Sequence, residues 1–114
     1  MATDLFVWGL VAHLLADFFL QNEWQALNKT SLKHPAAWVH AGIHLGALLF
    51  VFPPLAALAL AVSHLLIDTR VPLRWWRALI AQSTDGRGFD AFAIWQDQAA
   101  HLLALALVAW VVAR

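Results

Sequence analysis

A His-x-x-x-Asp pair occurs twice in this chain, in His13-Leu14-Leu15-Ala16-Asp17 and in His64-Leu65-Leu66-Ile67-Asp68, and each copy lies inside a long apolar run. On a helix, residues four apart stack about 5–6 Å from each other at Cβ, so an imidazole and a carboxylate at this spacing can close on one metal ion. Two further apolar runs repeat the spacing with different letters, His40 with His44 and Asp97 with His101. Four helices therefore offer five imidazoles and three carboxylates. Nitrogen and oxygen donors without sulfur suit Zn, Mn or Fe. The chain has no cysteine, which removes disulfides, thiolate metal sites and Cys nucleophiles from consideration.

Charge balance sets the expected number of ions. Each carboxylate inside a membrane costs about 2.5–3.5 kcal/mol even on a lenient insertion scale. No Lys or Arg lies within the four apolar runs to pair with Asp17, Asp68 and Asp97. Two divalent cations with three Asp and one bridging hydroxide sum to zero, whereas one cation leaves the set negative. We therefore expect a binuclear site. A single His-x-x-x-Asp pair is more simply a hydrogen-bonded contact between helices; four pairs at one depth favour a metal site.

Flanking residues add a second tier. Gln21 would continue the stripe of His13 and Asp17 by one more turn, and Gln98 adjoins Asp97; both are candidates to hold a ligand or substrate by hydrogen bonds. Lys29 and Arg70 fall at the same mouth and could take a phosphate or carboxylate, although anchoring of basic loops explains them equally well. His34, before Pro35, reads as a solvated loop residue, as do Glu23, Asp85 and Asp90.

The elements that must carry these residues are helices over about residues 4–21, 36–52, 54–69 and 92–113, the first with Thr3 as N-cap and the others opening near Pro35 and Pro53-Pro54 or following a turn at residues 83–88. Runs of this length sit at the lower edge of the about 20 residues that span a bilayer. Pro72 to Gln82 reads as a short interfacial helix between the third and fourth. The expected fold is thus all-α, a four-transmembrane-helix bundle in one domain over residues 1–114. Its two hairpins run in the same sense, as a parallel repeat with the site between them.

Composition agrees. Hydrophobic residues are 62% and charged residues 12% of the 114, with mean hydropathy +0.69, against a charged share of about a quarter in ordinary globular domains. Zero net charge and the lack of a basic arm argue against nucleic-acid binding. Lys29, Lys33, Arg70, Arg74, Arg77 and Arg87 fall in two loops, so those loops are expected on the cytoplasmic side of the cell (inner) membrane, with both termini outside. The first helix carries a repeat copy and no basic leader, so it is expected to be retained.

The chain resembles the small bacterial and phage membrane proteins of domain-of-unknown-function family 3307. The likeness is carried by HLLADFFLQ at 13–21, by Trp24, Lys29 and His40, by HLLID at 64–68 and by DQAAH at 97–101. That resemblance implies which residues matter and no activity. More loosely, the HxxxD helices look like those of inner-membrane proteins described as metal-dependent hydrolases.

The leading expectation is a binuclear hydrolase at the cytoplasmic leaflet, acting on a phosphoester or lipid-like substrate. Alternatives are a His-rich di-iron redox protein, a transport or sensing module that would need to form a homo-oligomer, and an accessory subunit of a larger membrane assembly with a structural metal. Haem between facing His pairs is disfavoured, since haem has no use for three Asp.

Overall fold

The computed structural model describes residues 1–82 and 89–114, so the turn expected at residues 83–88 lies outside the described residues. Six helices and no strand occur among the described residues: α1 (Ala2–Phe18), α2 (Glu23–Asn28), α3 (Pro35–Leu48), α4 (Pro54–Asp68), α5 (Val71–Leu79) and α6 (Phe89–Val112).

Local chemistry explains most of the boundaries. Pro35 and Pro54 each occupy the first turn of a helix, where a missing N–H costs nothing. His34 is not simply solvated: its Nδ1 accepts from the Ala36 N–H at 3.1 Å, so it caps α3. Thr3 is already inside α1, which starts from Met1 without a side-chain cap. At the other end α1 stops at Phe18 rather than near residue 21, with the Phe19 and Leu20 amides both closing on the Leu15 carbonyl. Asn22 then caps α2, accepting from the Gln25 N–H at 2.9 Å, in a stretch expected to be loop.

The apolar runs are cut shorter than expected. Helices α1, α3 and α4 have 17, 14 and 15 residues, or about 21–26 Å at 1.5 Å per residue. Among the described residues, Ala91–Val112 is the one helix long and apolar enough to cross a membrane; Pro54–Asp68 and Val71–Leu79 pass that test only together, across a 67° bend. Four full-length spans are therefore not supported. The bend lies at Arg70, whose φ of 66° puts a non-glycine residue in the left-handed region.

Helices α1, α3, α4 and α6 form a closed ring. Helix α1 packs on α3 and α6, and α4 packs on the same two, so the two His-x-x-x-Asp helices occupy opposite corners. The interior is unusual for a domain of this size. Its largest fully buried side chains are His40 and His44, and most of its buried apolar residues are alanines. Large apolar side chains instead face outward, among them Trp8, Phe18, Phe50, Leu55, Leu103 and Leu107. A compact apolar cluster, Ala12, Leu48, Phe52, Ala57, Leu60, Leu105 and Ala109, closes the bundle on the side away from the polar centre. There Gly9 permits close approach: a Cβ at this position would lie 2.7 Å from Leu105 Cδ1 and 2.9 Å from Phe52 Cε2.

Candidate metal centre

All eight candidate ligands come from the same level of the ring, toward the C-terminal ends of α1 and α4 and in the middle stretches of α3 and α6. Seven of them are buried; Asp97 is the partly exposed one. Every imidazole turns its Nε2 inward. Asp17 Oδ1 receives His44 Nε2 at 2.9 Å and His40 Nε2 at 3.1 Å, while its Oδ2 lies 3.2 Å from His13 Nε2. Asp68 Oδ2 lies 2.9 Å from His64 Nε2 and 3.4 Å from His40 Nε2, and its Oδ1 lies 3.2 Å from His101 Nε2.

Two overlapping ligand groups result, Asp17–His40–His44–His64 and His64–Asp68–His101, each with donor atoms mutually within 4.8 Å. This buried cluster could hold a metal ion, and its dimensions fit one. Nitrogen ligands bound about 2.1 Å from a shared ion lie about 3.0–3.4 Å from each other. His40 Nε2 and His64 Nε2 are 3.0 Å apart. His64 belongs to both groups, and the two oxygens of Asp68 face different partners, so Asp68 is disposed to bridge. A void of about 20 Å³ among His13, His44, His64 and His101 has room for one water or ion, since a water needs about 10–15 Å³.

The two groups differ in access. Both are buried throughout, and no residue of the first lines the outer cavity. The second has Asp97 Oδ2 at 3.6 Å from His101 Nε2, and both Asp68 and Asp97 line a cavity of about 440 Å³ that opens outward. His13 and Asp97 fall outside both groups, although each contacts a member.

The second tier is partly rearranged. Gln98 Oε1 lies 3.3 Å from His13 Nε2, at the inner edge of the cavity. Gln21 lies beyond the end of α1, so it does not continue the His13–Asp17 stripe, and its buried Oε1 has no hydrogen-bond partner among the described residues. Lys29, at the C-cap of α2, reaches within 4.0 Å of Asp68 Oδ1. The absence of cations from the apolar runs therefore did not leave Asp68 without a cation. Arg70 lines the same cavity. Ser63 turns its hydroxyl to the Leu60 carbonyl, 2.8 Å away, which occupies it in the helix.

A family described as "Protein of unknown function (DUF3307)" matches residues 5–114. The chain belongs to this family. No curated protein and no solved structure matches it. Family membership leaves the activity open, so the DUF3307 chain must be read from its own geometry.

Sequence reasoning missed two residues of this DUF3307 centre. Gln25 is buried, and its Oε1 lies 3.2 Å from His40 Nδ1. A proton on Nδ1 donated to that oxygen leaves the Nε2 lone pair facing the carboxylates, as a ligating imidazole requires. Arg77 is 4% exposed and donates from its NH1 to Gln96 Oε1 at 2.6 Å, beside the same cavity. The N-cap signal at Asn22 was available for α2, but nothing in the local sequence aims Gln25 at His40. Arg77 is one of several arginines in an amphipathic segment, and periodicity does not separate it from Arg74.

Proposed function

We propose that this protein is a membrane-embedded, binuclear metal-dependent hydrolase. The observation that carries the reading is the pairing of a closed ligand group with an open one. Structural metal sites are saturated by protein donors, whereas catalytic sites keep a position for water or substrate. Asp17, His40, His44 and His64 fit the first description. Asp68 and His101, beside the outward cavity, fit the second, with His64 serving one ion at a time because its Nε2 has a single lone pair.

Bound divalent ions would supply Lewis acidity and bring a coordinated water to ionise near neutral pH. The chain's own residues do the rest. Asp68, with Oδ2 toward His64 and His40 and Oδ1 toward His101, would hold the ion on the open side. Asp97, outside both groups and open to the cavity, is placed to accept the proton that water gives up. In hydrolysis the water oxygen forms a bond to the phosphorus or acyl carbon, the bond to the leaving oxygen breaks, and that oxygen takes a proton. Zn, Mn or Fe would suit these nitrogen and oxygen donors, and Lys29, 4.0 Å from Asp68 Oδ1, adds a positive charge on the open side.

The outward-facing apolar side chains support a bilayer as the solvent. A helix bundle with histidines inside and Trp, Phe and Leu outside suits lipid better than water. In this reading α6 crosses the bilayer and the shorter α1, α3 and α4 lie within it, with local thinning at modest cost. The end bearing α2 and α5 then faces the cytoplasm of the inner membrane, following its basic residues.

Elemental analysis of detergent-purified protein tests the centre. About two Zn or Mn ions per chain are expected, with loss of at least one in Asp68→Ala and no loss in His34→Ala. Full metal content in Asp68→Ala, or none in the parent, would refute the site. Iron in place of Zn or Mn would transfer support to the di-iron redox alternative.

A further inference from the structure

The open cavity is lined by cations as well as by the carboxylates of the metal centre. Lys29, Arg70 and Arg77 line it from three separate positions: the C-cap of α2, the bend between α4 and α5, and the body of α5. Arg77 is held in place, since Gln96 accepts from it at 2.6 Å and itself donates to Gln82 Oε1 at 3.0 Å. Arg70 sits at φ 66°, in the left-handed region that disfavours a non-glycine residue.

Opposite the cations stand Asp68 and Asp97, which belong to the metal centre. A third wall, Leu73, Ala93 and Ile94, is apolar, and Ile94 is 60% exposed on the outside of the bundle. The cavity therefore joins a cationic face, a metal face and an apolar exit toward the exterior. Guanidinium and ammonium groups together recognise phosphate oxygens, the arginines by paired N–H donors. An apolar exit suits a hydrocarbon chain attached to that phosphate.

We propose that this cavity binds the headgroup of a lipid phosphomonoester, with Lys29, Arg70 and Arg77 on the phosphate oxygens and the chain leaving past Ile94. Which bond is then cut rests on the hydrolase reading above; the binding does not.

Titration calorimetry on the metal-loaded protein in neutral detergent tests it, using lysophosphatidic acid, glycerol 3-phosphate and inorganic phosphate as probes. Lysophosphatidic acid is expected to bind, and to bind about tenfold or more weakly in Arg70→Gln and Lys29→Gln. Arg74→Gln, on an exposed residue outside the cavity lining, should bind as the parent does. Arg70→Gly accepts the left-handed backbone freely, so lost binding there with unchanged stability and metal content cannot be a folding failure. Equal affinity in parent and Arg70→Gln, or no binding, would overturn the proposal. Glycerol 3-phosphate binding as tightly as the lysolipid would overturn its lipid part and point to a soluble phosphate. Binding that follows the cations while no probe is hydrolysed would uphold the cavity and count against the hydrolase. Metal-dependent hydrolysis of lysophosphatidic acid untouched by both substitutions would do the reverse.

Discussion

Replacing Gln25 by Leu should weaken one of the two metal sites and spare the other. Gln25 is 4% exposed and His40 is 1% exposed, with Oε1 of the first 3.2 Å from Nδ1 of the second. Leu fills nearly the same space and removes the acceptor. Without metal, the His40 ring can move its proton to Nε2 and donate to Asp17 or Asp68, 3.1 and 3.4 Å away. With metal on Nε2 the proton must stay on Nδ1, buried and unsatisfied, at a cost of about 1–3 kcal/mol. The penalty falls on the loaded state alone, so affinity drops by about 5- to 150-fold. That range contains the about 10–100-fold loss usual for a group orienting a ligating histidine. Competition with a chromogenic chelator in detergent would resolve two Zn steps, one weakened and one close to the parent. Gln25→Glu, which keeps an acceptor, should retain the affinity. Unchanged affinity in Gln25→Leu would refute the role given to Nδ1, and equal weakening of both steps would refute the division into two groups.

Three other outcomes are expected. Stripping the metal with a strong chelator should lower thermal stability, since an ion held at 100 times its Kd contributes about 2.7 kcal/mol; an unchanged melting temperature across the treatment would argue against resident ions. Gly9→Val should cost about 1–3 kcal/mol in a denaturation series, because its side chain would enter space within 2.7 Å of Leu105 Cδ1 and 2.9 Å of Phe52 Cε2, while metal content stays at the parent level. Asn22→Ala should remove the cap of α2, at about 1 kcal/mol locally. Because α2 carries both Gln25 and Lys29, zinc affinity should fall with it, by less than in Gln25→Leu; a larger fall would mean that the helix matters beyond those two side chains.

The ligand cluster could be read from the sequence because helical spacing is a local property. His13 with Asp17 and His64 with Asp68 need only a continuous helix to share a face, and α1 and α4 supply it through both pairs. The lengths of the helices were not readable in the same way. Apolar composition continues past Phe18 and Leu48, but at Phe18 the backbone turns back to satisfy the Leu15 carbonyl, and hydropathy does not register that turn. The same limit hid the sharp bend at Arg70, where no glycine marks the positive φ. Partners separated in sequence were the least accessible. Gln25 meets His40 and Arg77 meets Gln96 only after the ring has closed.

The repeat also explains why the two halves of the centre are unequal. Helices α1 and α4 sit at opposite corners of the ring, and so do α3 and α6. Across this arrangement His44 meets Asp17 at 2.9 Å much as His101 meets Asp68 at 3.2 Å. In residue type the correspondence breaks at one pair, since α6 carries Asp97 where α3 carries His40, and in placement it also breaks at His13 and His64, of which His64 alone joins the ligand groups. His40 is neutral as a ligand, is 1% exposed, and brings its nitrogen within 3.4 Å of both carboxylates, so it closes its half. Asp97 brings a carboxyl group, which is harder to bury than an imidazole, and it remains at the edge of the outer cavity, 3.6 Å from His101. The difference in residue type at this pair thus helps to set a sealed side apart from an accessible one. Asp97→His should narrow that difference, raising metal retention at the open group while lowering turnover of any substrate that enters by the cavity. Retention and turnover moving in the same direction would refute the link between the broken symmetry and the open site.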